Sequence, residues 1–147
     1  MTSVTDFASR PPRVLSDAEE LSLGARRVRW FDTPHLPHSW ESGLMMDLQT
    51  RTLFCGDVFT QGGTGEVPLI SGDLVGVSEA FRRQMDYHSH SPDSGAMLER
   101  LASQQPRTMA CMHGSAWAGD GAKVLRDLRD ALSVDCRSEP MARQQRA

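Results

Sequence analysis

The segment Arg51-Thr-Leu-Phe-Cys-Gly-Asp-Val-Phe59 decides the fold, together with the loop sequence Thr33-Pro-His-Leu-Pro-His-Ser-Trp-Glu-Ser-Gly43 before it. The first contains a short apolar run that predicts a strand and stops at Asp57. The second places His35 and His38 directly after another predicted strand. Histidine and aspartate are residue types that bind divalent metals. We therefore expect a metal site at the ends of these strands.

A third segment repeats this arrangement of a short apolar run that stops at a polar side chain. Thr108-Met-Ala-Cys-Met-His-Gly114 predicts a buried strand that ends at His113. We expect the three loops to meet, with His38, Asp57 and His113 around one metal. A purely structural interpretation stays open, in which both histidines cap strands and Asp57 accepts backbone hydrogen bonds in a turn.

The hydrophobic pattern predicts short strands first and helices later. Strands are expected as a hairpin or strand pair at 13–23, a half-buried strand at 26–32, a hairpin formed by 42–47 and 51–54, and a buried strand at 108–112. Amphipathic helices are expected at 75–87, 93–104 and 120–132. Together these elements predict an α/β layer, with one domain at 13–134 between a flexible lead-in at 1–12 and a flexible tail at 135–147.

The loop expected at residues 60–73 is rich in Gly, Thr, Pro and Ser. It lacks the Gly-Lys-Ser/Thr ending of a phosphate-binding loop, so that function is disfavoured. Its part from Gly62 to Gly72 is expected to form the rim of a site for a small-molecule substrate.

Composition excludes several functional classes. The 147 residues are 39% hydrophobic and 24% charged, as in ordinary globular proteins. A net charge of -3 without a basic cluster gives no basis for nucleic-acid binding. Neither an apolar run long enough to span a bilayer nor a secretory signal is present, so no membrane partner and a cytoplasmic location are expected.

Two further groups of side chains have metal-ligand chemistry. Cys55, Cys111 and Cys136 are odd in number and lack metal-finger spacing, and two of them are expected to be buried strand thiols. His88-Ser-His90 has chelate spacing but falls where a helix is expected to end. A surface helix terminus, where imidazolium meets the helix dipole favourably, is the preferred interpretation.

These three histidine and aspartate motifs, in this order, resemble the later metal-binding motifs of the metallo-β-lactamase superfamily. Among its branches the resemblance is to flavodiiron and oxygen-binding diiron proteins, and it covers roughly Arg26 to Leu132. By this resemblance His38 matches the third-motif histidine, Asp57 the metal-bridging aspartate and His113 the final histidine. His35 is the second candidate ligand in its loop. The implied fold class is α/β, as the C-terminal half of a metallo-β-lactamase-like αββα sandwich.

The family's first motif, His-x-His-x-Asp-His or His-x-Glu-x-Asp-His in the diiron branch, has no counterpart before His38. The resemblance therefore implies a truncated homologue that binds one or two Zn or Fe ions through His38, Asp57 and His113. In the implied hydrolase, Asp57 and His113 are the catalytic residues and the metal activates water. The alternatives are a diiron protein that binds or reduces oxygen, and a non-catalytic remnant acting as an oligomerising structural module.

The partners follow from the same resemblance. Half of a sandwich exposes the sheet face that the other half should cover, and an exposed apolar sheet face favours association. A homodimer, or an N-terminal half that this sequence lacks, is therefore expected to cover that face.

Overall fold

One mixed sheet of seven strands organises the protein, in the order β1-β2-β3-β4-β6-β7-β5. The structure is a computed structural model that describes residues 9–63 and 66–138, with side chains as far as Ser133. In chain order the elements are β1 Glu20–Leu23, β2 Arg26–Asp32, β3 Gly43–Asp47, β4 Thr52–Gly56, β5 Leu69–Ile70, α1 Leu74–Met85, α2 Ser94–Ser103, β6 Thr108–Cys111, β7 Ala116–Ala118 and α3 Gly121–Ser138.

Strand direction determines which loops meet. The strands β1 to β4 form an antiparallel meander, while β4 pairs with β6 in parallel. Parallel strands need a long crossover connection, and here it contains α1 and α2. The carboxyl ends of β4 and β6 consequently lie at the same edge of the sheet, so the loops that begin at Asp57 and Met112 are neighbours.

The hydrophobic core lies between one face of this sheet and the helices. Successive side chains of a strand point to opposite faces, and in β3 and β4 every second residue is buried. Helices α2 and α3 pack together over that face, and α1 contacts α3. The core contains sheet and helix residues that are almost fully buried, among them Leu44, Met46, Leu53, Cys55, Met109, Leu98, Leu101, Leu125 and Leu128.

The opposite face of the sheet carries a row of apolar side chains that we call the open-face row: Trp30, Met45, Phe54 and Ala110. These residues are direct neighbours in register across β2, β3, β4 and β6. Phe54 is 43% exposed, and the other three are partly buried. Each described helix contributes its buried apolar side chains to the core on the other face. The fold is thus one sheet with its helices on one face, as half of a layered sandwich.

Most predicted elements are present, and three differ from the expectation. Residues 13–23 contain one strand, β1, rather than a pair, since its partner is β2. The strands β5 and β7 were not predicted; they pair with each other, and Trp117 Nε1 donates a hydrogen bond to the carbonyl oxygen of Gly72, 2.7 Å away. Helix α3 continues to Ser138 instead of ending near Leu132.

Parts of the expected lead-in and tail, residues 1–8 and 139–147, lie outside the described residues. Among the described helices, none is both long and apolar enough to cross a membrane.

Candidate metal centre

Asp57 is held at the end of β4 by a tight turn with buried anchors. The side chains of Val58 and Phe59, which follow it, are 1% and 0% exposed. The amide of Thr60 donates to the carbonyl oxygen of Asp57, and the Thr60 hydroxyl donates to the same oxygen over 2.9 Å. Because the backbone is fixed from both sides, the carboxylate has a defined direction.

The loop from Thr33 to Ser42 positions His38. Its two ends are joined by a hydrogen bond from the Thr33 amide to the Ser42 carbonyl oxygen, 2.8 Å long. Leu36, in the middle, is fully buried, and the peptide bond between Leu36 and Pro37 is cis. The Ser42 hydroxyl donates to the Leu36 carbonyl oxygen over 2.7 Å. This internal bonding fixes the loop, and its His38 side chain points to Asp57.

His113 follows β6 and reaches Asp57 from the other side. The amide of Gln61 donates to the carbonyl oxygen of His113, which ties the two loops together. Gly114 has a φ of 92°, in the region that favours glycine, and a β-carbon there would lie 2.6 Å from Cβ of Gln61. Glycine at this position therefore permits the close approach of the two loops.

The two imidazoles contact different oxygens of one carboxylate. His38 Nε2 lies 2.6 Å from Oδ2 of Asp57, whereas His113 Nε2 lies 3.3 Å from Oδ1. The Oδ1 atom is buried and has no hydrogen-bond partner, although the Asp57 side chain as a whole is 25% exposed. A buried carboxylate oxygen without a hydrogen bond is costly unless a further group binds it. Asp57 therefore lies between two histidines and retains capacity for a ligand.

The three residues selected from the sequence lie together, but the two histidines contact different oxygens of Asp57. They do not surround a single point, contrary to the expectation of one shared metal. Within residues 9–63 and 66–138, no group of three or more His, Cys, Asp and Glu side chains is arranged to hold a single metal ion. The reason is geometric, because His38 and His113 face opposite oxygens of Asp57. The donor set of two histidines and one carboxylate does fit a transition metal such as Fe or Zn chemically.

His35 lies apart from this cluster. Its side chain is exposed and lines a surface cavity together with Asp32, Asp93 and Arg100. Its φ of 63° places it in the left-handed region, and its amide donates to the Trp40 carbonyl oxygen. His35 thus helps to shape the loop that positions His38.

Aromatic side chains surround His38. The rings of His38 and Trp40 stack with centroids 4.5 Å apart and an interplanar angle of 14°. The centroid of the Tyr87 ring is 6.1 Å from that of His38, and burial raises the pKa of this phenol. Sequence reasoning missed Tyr87, because it lies 30 residues beyond Asp57 and no local pattern connects them.

The His88-Ser-His90 segment differs from the expected surface helix terminus. Helix α1 ends at Met85, and His88 beyond it is only 7% exposed. Burial, followed by the charge of Arg82, lowers the pKa of His88 to about 4, so the imidazole is neutral at pH 7. His90 is exposed and pairs with Asp86 over 2.8 Å. The two histidines therefore have different surroundings and do not form a chelate.

Cys55 and Cys111 lie on the strands that lead into Asp57 and His113. Cys55 is fully buried, as expected, whereas Cys111 is only partly buried. Each thiol donates a hydrogen bond to a carbonyl oxygen of its own strand, Cys55 to Leu53 and Cys111 to Met109, and the neighbouring Cys55 thiol lowers the pKa of Cys111. Burial raises the pKa of Cys55. The two thiols are thus unequal in access and in acidity.

No protein-family model matches the sequence, and no curated protein matches it. Solved structures do share its fold. A diflavin flavoprotein fragment from Nostoc aligns with a TM-score of 0.63 and 19% identity, over 84% of this chain and 49% of that one. The fold is metallo-β-lactamase-like. The arrangement of one sheet with helices on one face corresponds to the C-terminal half of the αββα sandwich.

Two further structures show the same similarity. Rubredoxin oxygen:oxidoreductase from Desulfovibrio gigas aligns with a TM-score of 0.59 and 19% identity, over 86% of this chain and 34% of that one. The flavodiiron protein from Giardia intestinalis aligns with a TM-score of 0.58 and 20% identity, over 82% of this chain and 30% of that one. The chain spans less than half the length of each of these structures.

Proposed function

We propose that this chain belongs to an iron protein that handles oxygen, in which two iron ions would be held by Asp57 together with His38 and with His113. The observation that carries the proposal is the placement of the two imidazoles against opposite oxygens of one carboxylate. A carboxylate can bind two metals through its two oxygens, whereas a structural hydrogen bond needs only one histidine.

The buried Oδ1 atom of Asp57 supports this assignment. A residue that only accepts backbone hydrogen bonds in a turn should have both oxygens satisfied. Instead Oδ1 has no hydrogen bond, and His113 Nε2, although 3.3 Å away, is not in hydrogen-bond geometry. A cation between Oδ1 and His113 would satisfy both groups. The structural interpretation of His113 as a strand cap leaves that oxygen unexplained.

The similar structures favour iron and oxygen over zinc and hydrolysis. One is named as a flavodiiron protein and another as an oxygen:oxidoreductase. The hydrolase expected from the sequence, with Asp57 and His113 acting on a zinc-activated water, has no counterpart among these names. We therefore assign iron chemistry to the site and place the hydrolase second.

In this assignment the chain's own residues bind and shield the ions. The Asp57 turn fixes the carboxylate, and the stacked Trp40 ring restricts rotation of His38. The half-buried phenol of Tyr87 lies beside His38, and burial raises its pKa further above neutral pH, so it keeps its proton. Bound ferrous iron would supply the electrons that oxygen accepts.

Oxygen consumption tests the function. Protein loaded anaerobically with ferrous iron should consume dissolved oxygen faster than the same iron free in buffer, as measured with an oxygen electrode. Asp57→Asn should lose this activity, because an amide offers only one oxygen to the two ions. The matched control is Asp86→Asn, which changes the exposed partner of His90. Equal oxygen consumption by the two variants would contradict the assignment.

We also propose that a second copy of the chain covers the open-face row in solution. The apolar side chains of Trp30, Met45 and Phe54 form a continuous strip. Two sheets pack face to face at about 10 Å when both inner faces are apolar. Light scattering after size exclusion should give a dimer for the wild type and a monomer for Phe54→Asp. A wild type that is monomeric at all concentrations would contradict this proposal.

A further inference from the structure

We propose that Cys55 and Cys111 are a redox modification site, at which a hydroperoxide converts the two thiols into a reversible intrachain disulfide. The site is separate from the three candidate metal ligands, and its chemistry needs no metal.

The geometry of the two strands carries this inference. Cys55 lies in β4 and Cys111 in β6, which are hydrogen-bonded neighbours, and Cys111 is in register with Gly56. The register shifts between Phe54, which pairs with Ala110, and Gly56, which pairs with Cys111. Cys55 lies between these two pairs and has no register partner in β6. Neighbouring strands lie about 4.8 Å apart and successive residues about 3.3 Å along a strand, so an offset of one residue gives a Cα separation of about 5.8 Å, within the about 4.4–6.8 Å that a disulfide spans.

Both thiols also point to the same side of the sheet. Cys55 is part of the hydrophobic core beneath the helices, and Cys111 packs against that core. A disulfide can therefore form here with little backbone movement, in contrast to two cysteines whose side chains point to opposite faces.

Access determines the order of the two steps. Cys111 is partly exposed and Cys55 is fully buried, so the peroxide meets Cys111 first. The Cys111 sulfur attacks one peroxide oxygen, the O–O bond breaks, and a sulfenic acid and one water molecule (an alcohol, for an organic hydroperoxide) are formed. The Cys55 thiol then attacks the sulfenic sulfur, the S–O bond breaks, and a second water leaves with the Cys55 proton. Two thiols are oxidised and one peroxide is reduced.

The location gives the disulfide a structural consequence. Asp57 is two residues beyond Cys55, and His113 is two residues beyond Cys111. The two loops are already joined by a hydrogen bond from the Met112 amide to the Gly56 carbonyl oxygen, 3.1 Å long. A covalent link between β4 and β6 would hold these loops together even when such hydrogen bonds open.

Thiol counting by mass spectrometry tests the proposal. Reduced protein, kept metal-free with a chelator, is treated with hydrogen peroxide, denatured without reductant and alkylated. The wild type should then carry one alkyl group, on Cys136, instead of three, and a protease digest should contain the Cys55–Cys111 linked peptide. Dithiothreitol should restore three alkylation sites. Cys136→Ser should form the same linked peptide, which shows that Cys136 takes no part.

Cys111→Ser is the matched variant. It removes the accessible thiol, and the buried Cys55 should then stay reduced under the same peroxide dose. The proposal is overturned if Cys111 proceeds to sulfinic acid while Cys55 remains alkylatable, or if the linked peptides contain Cys136. It is also overturned if all three thiols survive a dose that oxidises free cysteine. Because the protein is metal-free in this experiment, the result is independent of the iron assignment.

Discussion

His88 is a buried imidazole whose titration should control stability at acidic pH. The residue is 7% exposed and its Nε2 atom has no hydrogen-bond partner. Burial, together with the nearby charge of Arg82, lowers its pKa from 6.5 to about 4. The folded protein therefore holds a neutral imidazole at pH 7, whereas the unfolded chain takes up a proton near pH 6.5.

The sign and the size of the effect follow from this difference. Because the folded-state pKa is the lower one, the unfolded state binds the proton more readily, and stability falls as the pH is lowered from 6.5 towards 4. A pKa lowered from 6.5 to about 4 corresponds to a total loss of about 3.4 kcal/mol in the free energy of unfolding at low pH. About 2 kcal/mol of this stability is lost between pH 7 and pH 5.

Guanidinium unfolding curves at pH 7, 6 and 5 measure this loss. His88→Gln has no titrating group, so its free energy of unfolding should fall by about 2 kcal/mol less than that of the wild type over this range. His90→Gln, which changes an exposed histidine two residues away, is the control and should follow the wild type. If His88→Gln and the wild type lose stability in parallel, His88 is not the buried neutral group described above.

Two further substitutions test the packing near the site. Arg82 donates two buried hydrogen bonds to Glu79, 2.8 and 2.7 Å long, so Arg82→Ala should lower the free energy of unfolding by about 3–5 kcal/mol. A Glu79→Leu/Arg82→Met double variant, which leaves no unpaired charge, should recover most of that stability. Equal losses of stability in the single and the double variant would contradict this prediction. Gly114→Ala adds a β-carbon 2.6 Å from Cβ of Gln61 and should lower the free energy of unfolding, measured with denaturant, more than Gly24→Ala does. At Gly24 φ is also positive, but no atom lies within 4 Å of the added β-carbon. Equal losses of stability in the two variants would show that the loop at Gly114 moves to accommodate the added β-carbon.

Two residues of the candidate site, Asp57 and His113, could be selected from the sequence because they follow apolar runs. Strands end where a polar residue follows such a run, and this rule locates both Asp57 and His113. Their proximity also follows from the topology, since parallel neighbours such as β4 and β6 end at one edge of the sheet. The choice of His38 over His35 came from the family resemblance, and the structure places His38, not His35, against Asp57.

What the sequence did not predict depends on contacts between distant residues. The strands β5 and β7 have two and three residues, too few for a periodic pattern, and they form by pairing: β7 with β6 on one side and β5 with β7 on the other. The burial of His88 arises from packing after the end of α1 and not from its polar sequence neighbours. The approach of Tyr87 to His38 likewise joins segments about 50 residues apart.

The most direct test of the account is the metal content of three proteins after anaerobic loading with ferrous iron and gel filtration, measured by elemental mass spectrometry. The wild type and the control Asp86→Ala should retain iron, and Asp57→Ala should lose it, because Asp57 contacts both His38 and His113. Iron retained equally in all three proteins, or by none of them, would contradict the claim that Asp57 lies between two bound ions.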